Sequence, residues 1–324
     1  MPKFTSSVEN LAIENSAPVV SVLMPVFNGR EYLEEAVESI LNQTFQNFEF
    51  LILDDGSTDD SLKLLRQYAT QDPRIRVFTR ENRGSTYTLN ELLLESRGEF
   101  VARMDQDDIA MPERFNRQVT FLRENKIVVC VGSAFQMIDS AGRYLATLTP
   151  PQTDAEIQQL ILGGHGAINH PSAMMRLAFV NLVGGYNCEY DLVDDLDLWL
   201  RLGEVGKLAN LTDVLLKYRL HDKSISEKAG QKQRGAALRA CQSAWSRRNI
   251  TGVFTAHGTW RPGSDRTSKH LFMLKYGWWA WNSQQRKTAV FYGWQAIKVR
   301  PFSVDAWMLL IVALIKPLAK VGKD

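Results

Sequence analysis

The sequence predicts an α/β fold, a mostly parallel central sheet flanked by helices, followed by a helical C-terminal extension. Two observations carry that prediction. Apolar runs of four to six residues alternate with amphipathic stretches of helical period from residue 19 to about residue 125, as βαβ units on a parallel sheet require. Three of the first four apolar runs end in polar loops, and in open α/β sheets ligands bind outside the carboxyl ends of the strands.

Val19 to Met24 is β-branched-rich and stops at Pro25, so it is a buried first strand with Pro25-Val26-Phe27-Asn28-Gly29 as the turn. From Glu31 to Leu41 a helical stripe places Leu33, Ala36, Val37, Ile40 and Leu41 on one face. Phe48 to Leu53 is the second strand and ends in Asp54-Asp55-Gly56-Ser57-Thr58-Asp59. Helix (Leu62 to Tyr68), strand (Ile75 to Phe78), helix (Leu89 to Leu94) and strand (Phe100 to Met104) follow. After Met111-Pro112 the pattern predicts a helix over 113–125, then a strand over Ile127 to Val131. Leu145 to Pro151 reads as loop, Ala155 to Leu162 as helix, and Gly163 to Gly166 as a flexible joint leading to His170. Leu196 to Leu202 is a helix opened by Asp191, Asp194 and Asp195, and Val214 to His221 the last strand.

With 324 residues, 45% hydrophobic and 23% charged, the chain has the composition of a soluble globular protein able to bury a large core. Its net charge of +2 hides an asymmetry: residues 225–324 hold seventeen Lys/Arg against four Asp/Glu. The remainder, residues 1–224, is acidic. Cys130, Cys188 and Cys241 are odd in number and in no metal-ligand spacing, which fits a reducing compartment. Residues 1–18 read as a flexible arm without signal-peptide pattern, and no segment has the apolar length of a spanning helix.

The chemistry concentrates where the fourth strand runs into Asp105-Gln106-Asp107-Asp108. In an extended chain Asp105 and Asp107 share a face, and two such carboxylates suit a hard divalent cation, Mg2+ or Mn2+, whose shell bound phosphates complete. Taken alone, a D-x-D triplet is more often a solvated acidic turn, with Asp108 starting the next helix.

Five blocks in order change that balance: Pro25 to Asn28, Asp54 to Asp59, Asn82-Arg83-Gly84 with Asn90, Arg103 to Asp108, and Asp194 to Arg201. Together they make residues 19–224 resemble glycosyltransferase family 2, enzymes of GT-A fold that use nucleotide-diphosphate sugars. The resemblance implies that Asp55 accepts a hydrogen bond from the base, which favours uridine. It places Pro25, Phe27, Asn28, Ser57, Arg83, Gly84 and Asp105 around the nucleotide. Phe27 stands for the more usual Tyr, and Gln106 for the frequent Ala. Asp107, with Asp105 and His221, is implied for the metal on the diphosphate. Asp195 is implied as the general base of an inverting direct displacement, with Asp194 as its partner where relatives mostly have Glu. Adjacent carboxylates repel, which suits a base with a raised pKa. Asp59 reads as a turn cap, Asp197 as helix N-terminal decoration, Arg103 as either a charge-stabilising or a structural cation, and His170 as structural. His165, His257 and His270 carry no signal.

The expected reaction moves a sugar from a nucleotide-sugar donor, with UDP favoured, to a hydroxyl of a glycan or lipid-linked acceptor in cell-surface polysaccharide or glycolipid synthesis. Residues 230–248 and 266–300 read as basic, aromatic-rich helices, and Ala306 to Ile315 as an apolar run followed by Lys316, Lys320 and Lys323. That tail suits peripheral attachment at the cytoplasmic face of a membrane through residues 306–323, or else a self-contained helical subdomain or homo-oligomer contact. No nucleic-acid module is present. A nucleotidyltransferase and an inactive sugar-nucleotide scaffold are the alternatives. The former lacks a Gly-rich phosphate loop, and against the latter every required carboxylate stands in place.

Overall fold

The computed structural model describes residues 17–221, 230–256 and 265–317. Most of the arm 1–18, residues 222–224 with the expected boundary at 225, His257, Lys320 and Lys323 lie outside them.

The chain opens with β1 (Val20–Val26), α1 (Arg30–Leu41), β2 (Phe48–Asp54), α2 (Ser61–Gln71), β3 (Ile75–Thr79), α3 (Ser85–Glu95) and β4 (Phe100–Arg103). These four strands run parallel in the order β3-β2-β1-β4. Alternation decides where each side chain goes: Val20, Val22 and Met24 of β1 join one core, and Leu23 joins the core on the opposite face. Phe50 and Ile52 divide from Leu51 and Leu53 of β2 in the same way. Helices cover both faces, so the strands are apolar throughout and the ligand-binding loops gather at their carboxyl ends.

The sheet continues through β5 (Ile109–Ala110), β6 (Val128–Asp139), β7 (Tyr144–Leu148), β8 (Met174–Arg176) and β9 (Lys207–Leu220), with α4 (Arg114–Glu124), α5 (Asp154–Leu162), α6 (Leu177–Leu182) and α7 (Asp194–Val205) between them. β8 enters antiparallel between β4 and β6, β9 pairs parallel with β6, and β5 closes the edge. Two expectations change here. The stretch from Leu145, expected as loop, is strand β7, paired antiparallel with β6. The Asp139 carboxylate accepts from the Ala141 and Arg143 N–H groups, and that turn folds β7 back onto its neighbour. Both β6 and β9 also extend far beyond their most apolar segments, because each supplies the other's ladder.

Of the C-terminal helices, α8 (Gly230–Arg247) packs Ala236, Ala237, Ala240, Cys241 and Ala244 into the core that holds α5 and α7. The stretch expected as one helix over 266–300 is two, α9 (Arg266–Asn282) and α10 (Arg286–Val299), reversed at Ser283–Gln285 where Gln284 takes φ +65. With α11 (Val304–Ile315) they form a three-helix unit. It seats Tyr276, Trp279 and Phe291 against the sheet core, while the Tyr292 hydroxyl donates to Asp139 at 2.8 Å.

Candidate active site

The first wall of the site joins the ends of β1 and β2. Asn28 adopts φ +50 just past β1. Its N–H donates to Ser57 Oγ at 2.9 Å, and its Oδ1 accepts from the Thr58 N–H at 2.8 Å. Asp54 closes its own turn by accepting from the Ser57 N–H and the Thr79 hydroxyl, both at 3.2 Å. Asp59 accepts from the N–H groups of Arg30 and Ser61, the capping role expected of it. Gly56 is required here: its φ is +76, and a Cβ would meet the Asn82 nitrogen at 2.9 Å. Pro25 lies within β1, and Phe27 is 45% exposed, so its ring offers a face to the cleft.

Asp55 is buried at the floor of this wall. Its Oδ1 accepts from the Arg83 N–H at 2.9 Å and from Arg80, and its Oδ2 from the Gly84 N–H at 2.8 Å. Gly84 has φ +96, which lets two successive N–H groups turn toward one carboxylate. One lone pair of Oδ2 remains for a further donor. The Arg83 side chain reaches outward, 3.3 Å from Glu91 and over the Tyr87 ring.

The second wall is the loop after β4. Asp105, Asp107 and Asp108 bring oxygen atoms within 4.8 Å of one another. His221 Nε2 lies 2.7 Å from Asp107 Oδ2, and its ring packs on Tyr32. Asp108 departs from its expected role. It is fully buried and accepts from the Arg219 N–H at 2.8 Å, and α4 starts only at Arg114, too far for Asp108 to cap. The group that could hold a cation is thus the carboxylates of Asp105, Asp107 and Asp108, with Asp108 turned to the Arg219 N–H and His221 set against Asp107. Hard carboxylate oxygens suit Mn2+ or Mg2+. Gln106 does work that Ala cannot. Its amide accepts from the Phe27 N–H at 2.9 Å and donates to the Phe27 carbonyl at 3.1 Å, tying the two walls together.

Across the cleft, Asp194 and Asp195 open α7 with no side-chain cap before them. Burial raises the pKa of both, and mutual repulsion adds to it for Asp194, while Arg103 pulls the other way. The helix N-terminus favours anions by only about 0.3–1 kcal/mol. One pKa unit is about 1.4 kcal/mol, so burial and repulsion win. Asp195 Oδ1 accepts from the Leu196 N–H at 2.8 Å, and Asp194 lies 3.4 Å from the Thr86 hydroxyl, which also donates to Asp191 at 2.7 Å. Asp197 does more than decorate the helix: buried, it pairs with Arg201 at 2.6 Å, and Arg201 in turn holds the carbonyls of Val183 and Gly185. Trp199 is core, edge-on to His170, whose Nε2 meets the Tyr186 hydroxyl at 2.8 Å. Burial, then Arg103, holds the His170 pKa well down, so it is a neutral structural ring.

Arg103 links the two acidic groups electrostatically. It is buried, 2.6 Å from Asp105, and its charge is felt at both Asp194 and Asp195. Burial disfavours that charge, and Asp105, Tyr186 and Asp194 more than offset the cost. Its backbone carbonyl is held by Arg114 at 2.8 Å.

Sequence reasoning missed Arg219. It donates from Nε to the Asp107 carbonyl at 2.8 Å, pairs with Glu35 and lies over Tyr32, so it fixes the metal loop from behind. The signal was its place two residues before His221 on a strand, hence on the same face. Thr86, two residues after Gly84, was missed too. So was an open cleft of about 560 Å³ lined by Glu189, Asp191 and Leu192 together with Lys232, Gly235, Ala236 and Arg239 of α8.

The family model described as Glycosyl transferase family 2 matches residues 21–182. EpsE of Bacillus subtilis, named as a glycosyltransferase, is 33% identical over 210 residues, 63% of this chain and 74% of EpsE. The O-antigen biosynthesis glycosyltransferase WbnJ of Escherichia coli is 31% identical over 219 residues, 65% of this chain and 83% of WbnJ. Among solved structures, S. aureus TarS 1–349 with UDP-GlcNAc superposes with TM-score 0.54 at 17% identity, over 91% of this chain and 79% of that one. The mannosyltransferase PcManGT from Pyrobaculum calidifontis, with GDP-Man and Mn2+, gives 0.55 at 17%, over 94% and 82%. At such identity these two carry the fold.

Proposed function

Because this chain belongs to glycosyltransferase family 2 and has the GT-A fold, we propose that its cleft moves a sugar from a nucleoside-diphosphate sugar, UDP-linked by preference, to a glycan hydroxyl with inversion. The observation that carries this reading is the buried Arg103, 2.6 Å from Asp105 on the loop after β4, whose charge also acts on Asp194 and Asp195 at the start of α7. One group serves the donor and the other the acceptor.

On the donor side, Asp55 offers its remaining lone pair to a base N–H such as N3 of uracil. Phe27 supplies a stacking face, and Pro25, Asn28, Ser57, Arg83 and Gly84 shape the wall around the nucleotide. Asp107, Asp105 and His221 would hold a divalent cation, which neutralises charge on the departing nucleoside diphosphate. On the acceptor side, Asp195 takes the proton of the attacking hydroxyl. Asp194, sharing the charge of the pair, keeps its partner basic enough to do so. The cleft of α8 and the Glu189–Leu192 segment, lined by Lys232 and Arg239, adjoins Asp191, which shares the Thr86 hydroxyl with Asp194, and is the surface assigned here to the acceptor. The relatives' names support cell-surface polysaccharide as the product class. Whether the acceptor is lipid-linked turns on the C-terminal helices, not on this cleft.

Calorimetric titration with UDP, GDP and dTDP, with and without Mn2+, tests the donor half. The expected result is metal-dependent binding of UDP that Asp107→Asn abolishes. Preference for GDP or dTDP overturns the role given to Asp55, and binding indifferent to metal overturns the role given to Asp107.

A further inference from the structure

Helix α11 buries only half of its circumference. Ala306, Leu309, Leu310 and Ala313 pack against the neighbouring helices. The opposite side carries Val304, Trp307, Met308, Ile311, Leu314 and Ile315, each at least 43% exposed. At about 100° per residue these side chains fall within one arc of roughly 120°. Phe302, in the turn entering the helix, is 99% exposed. A contiguous apolar surface of this kind marks an interaction site.

Its surroundings say what covers it. Trp294 of α10 meets Trp307 edge to face at 6.4 Å, so the exposed row of α10 continues the patch. On α10, Lys287 and Lys298 stand seven residues before and four after Trp294, on the same helical face, and both are exposed. Arg300 and Lys316, also exposed, follow the ends of α10 and α11. From residue 265 to 317 there are eight Lys/Arg against Asp265 and Asp305 alone. The Trp307 indole N–H donates to the Pro301 carbonyl at 2.8 Å, leaving its ring outward with no unmet donor. An apolar strip edged by tryptophan and backed by lysine complements a bilayer interface with anionic headgroups. A second copy would bring two basic rims together, which electrostatic repulsion opposes. Among the described residues no helix is long and apolar enough to cross a membrane.

We propose that the face formed by α11 and the Lys287–Trp294–Lys298 row of α10 seats the protein on an anionic lipid bilayer. The seat is coupled to the catalytic sheet by a short connection. Tyr292 of α10 donates to the Asp139 carboxylate, and the Asp139 carbonyl accepts from Arg219, which fixes the metal loop. Docking therefore sets the orientation of the cleft over the lipid surface. The inference does not depend on the donor and base assignments.

The test is cosedimentation of the full chain with phosphatidylcholine vesicles, and with vesicles in which a third of the lipid is phosphatidylglycerol. Binding to the anionic vesicles, weakened by salt, is expected. Trp307→Glu with Ile311→Glu is expected to lower partitioning roughly tenfold or more. Lys287→Glu with Lys298→Glu is expected to lower it by about fivefold per basic residue removed. Both double variants should keep nucleotide binding, and the lysine pair wild-type melting. Trp307→Glu also gives up the Pro301 hydrogen bond and the Trp294 contact. The Ile311→Glu single variant, which breaks neither, is therefore measured beside it and should lower partitioning without a change in melting. Absence of vesicle binding by the wild type overturns the proposal, as does equal binding by the variants. A dimer that the Trp307/Ile311 variant dissociates, without vesicle binding, assigns the face to a second copy instead.

Discussion

The two acidic groups of the cleft are made of the same side chain and differ in their surroundings. In the metal loop, Asp105 has Arg103 at 2.6 Å, Asp107 has His221 at 2.7 Å, and Asp108 has the Arg219 N–H at 2.8 Å. On α7, Asp194 and Asp195 have each other, a helix end and the more distant charge of Arg103; Asp194 shares the Thr86 hydroxyl with Asp191, Asp195 accepts from the Leu196 N–H, and burial raises both. Burial, with mutual repulsion added at Asp194, makes the carboxyls on α7 hold a proton more tightly. On the proposed mechanism the two groups would divide the donor and acceptor tasks between them, each by its own surroundings.

The comparison is broken most directly at Asp195. Asp195→Asn removes the proton acceptor and leaves the donor wall intact. Single-turnover transfer is expected to slow by about 10²–10⁴-fold while nucleotide affinity stays near wild type. A loss below tenfold would pass the base role to Asp194, which the parallel Asp194→Asn variant checks. The pair also predicts a pH profile. Transfer needs its base deprotonated, so the rate rises with pH through an inflection above the ordinary carboxylate range of about 4. An inflection at the ordinary value removes the proton-sharing pair.

Stability runs the opposite way. A carboxyl whose pKa is raised on folding binds its proton more tightly in the folded state, so stability falls as pH rises from the unfolded value of about 4 through the raised one. Asp194→Asn should flatten that fall and raise the melting temperature above neutral pH. Melting curves collected across this window decide it, and a variant less stable than wild type at high pH would show that the pair is held by donors after all.

The other side of the comparison is sharpened at His221. Asp107→Asn takes a ligand away. His221→Ala removes a second, or an orienter of the first, and is expected to weaken Mn2+-dependent nucleotide binding about 10–100-fold. Manganese titration at fixed nucleotide measures it. Unchanged metal dependence in His221→Ala would make the 2.7 Å contact with Asp107 structural only.

The sheet and the loops were legible in the sequence because their strands are apolar on both faces and end abruptly in acid. Val19 to Met24 read as a buried strand from its β-branched run, the structure adds that Leu23 and Met24 enter opposite cores, and the carboxylate blocks declared themselves by position. What was illegible is pairing at a distance. Nothing local says that Asp108 turns inward to the Arg219 backbone more than one hundred residues away, or that Asp197 belongs to Arg201 instead of to solvent. Strand β7 was hidden because its neighbour β6 and the α9–α10 unit, not its own composition, make it a strand. The half-buried α11 shows the same limit in reverse: its apolar run announced a helix, and only packing showed which side stays open.

Gln106 offers the mildest test and bears on how the two walls of the donor site act together. Its amide grips both polar groups of the Phe27 backbone, and a side chain on Gly29 would collide with its Oε1 at 2.4 Å. Gln106→Ala deletes two hydrogen bonds worth about 0.5–1.5 kcal/mol each, toward the low end because the loop is solvated. The carboxylates on either side stay where Arg103 and His221 hold them. Metal affinity should therefore hold steady, nucleotide affinity should drop by a few-fold, and kcat should change little. Such a split means that Gln106 preorganises the Phe27 wall for the base without touching the cation. If Gln106→Ala lowers metal and nucleotide affinity together, the loop is one mechanical unit and the division of labour between its carboxylates is set by Gln106 as much as by their own partners.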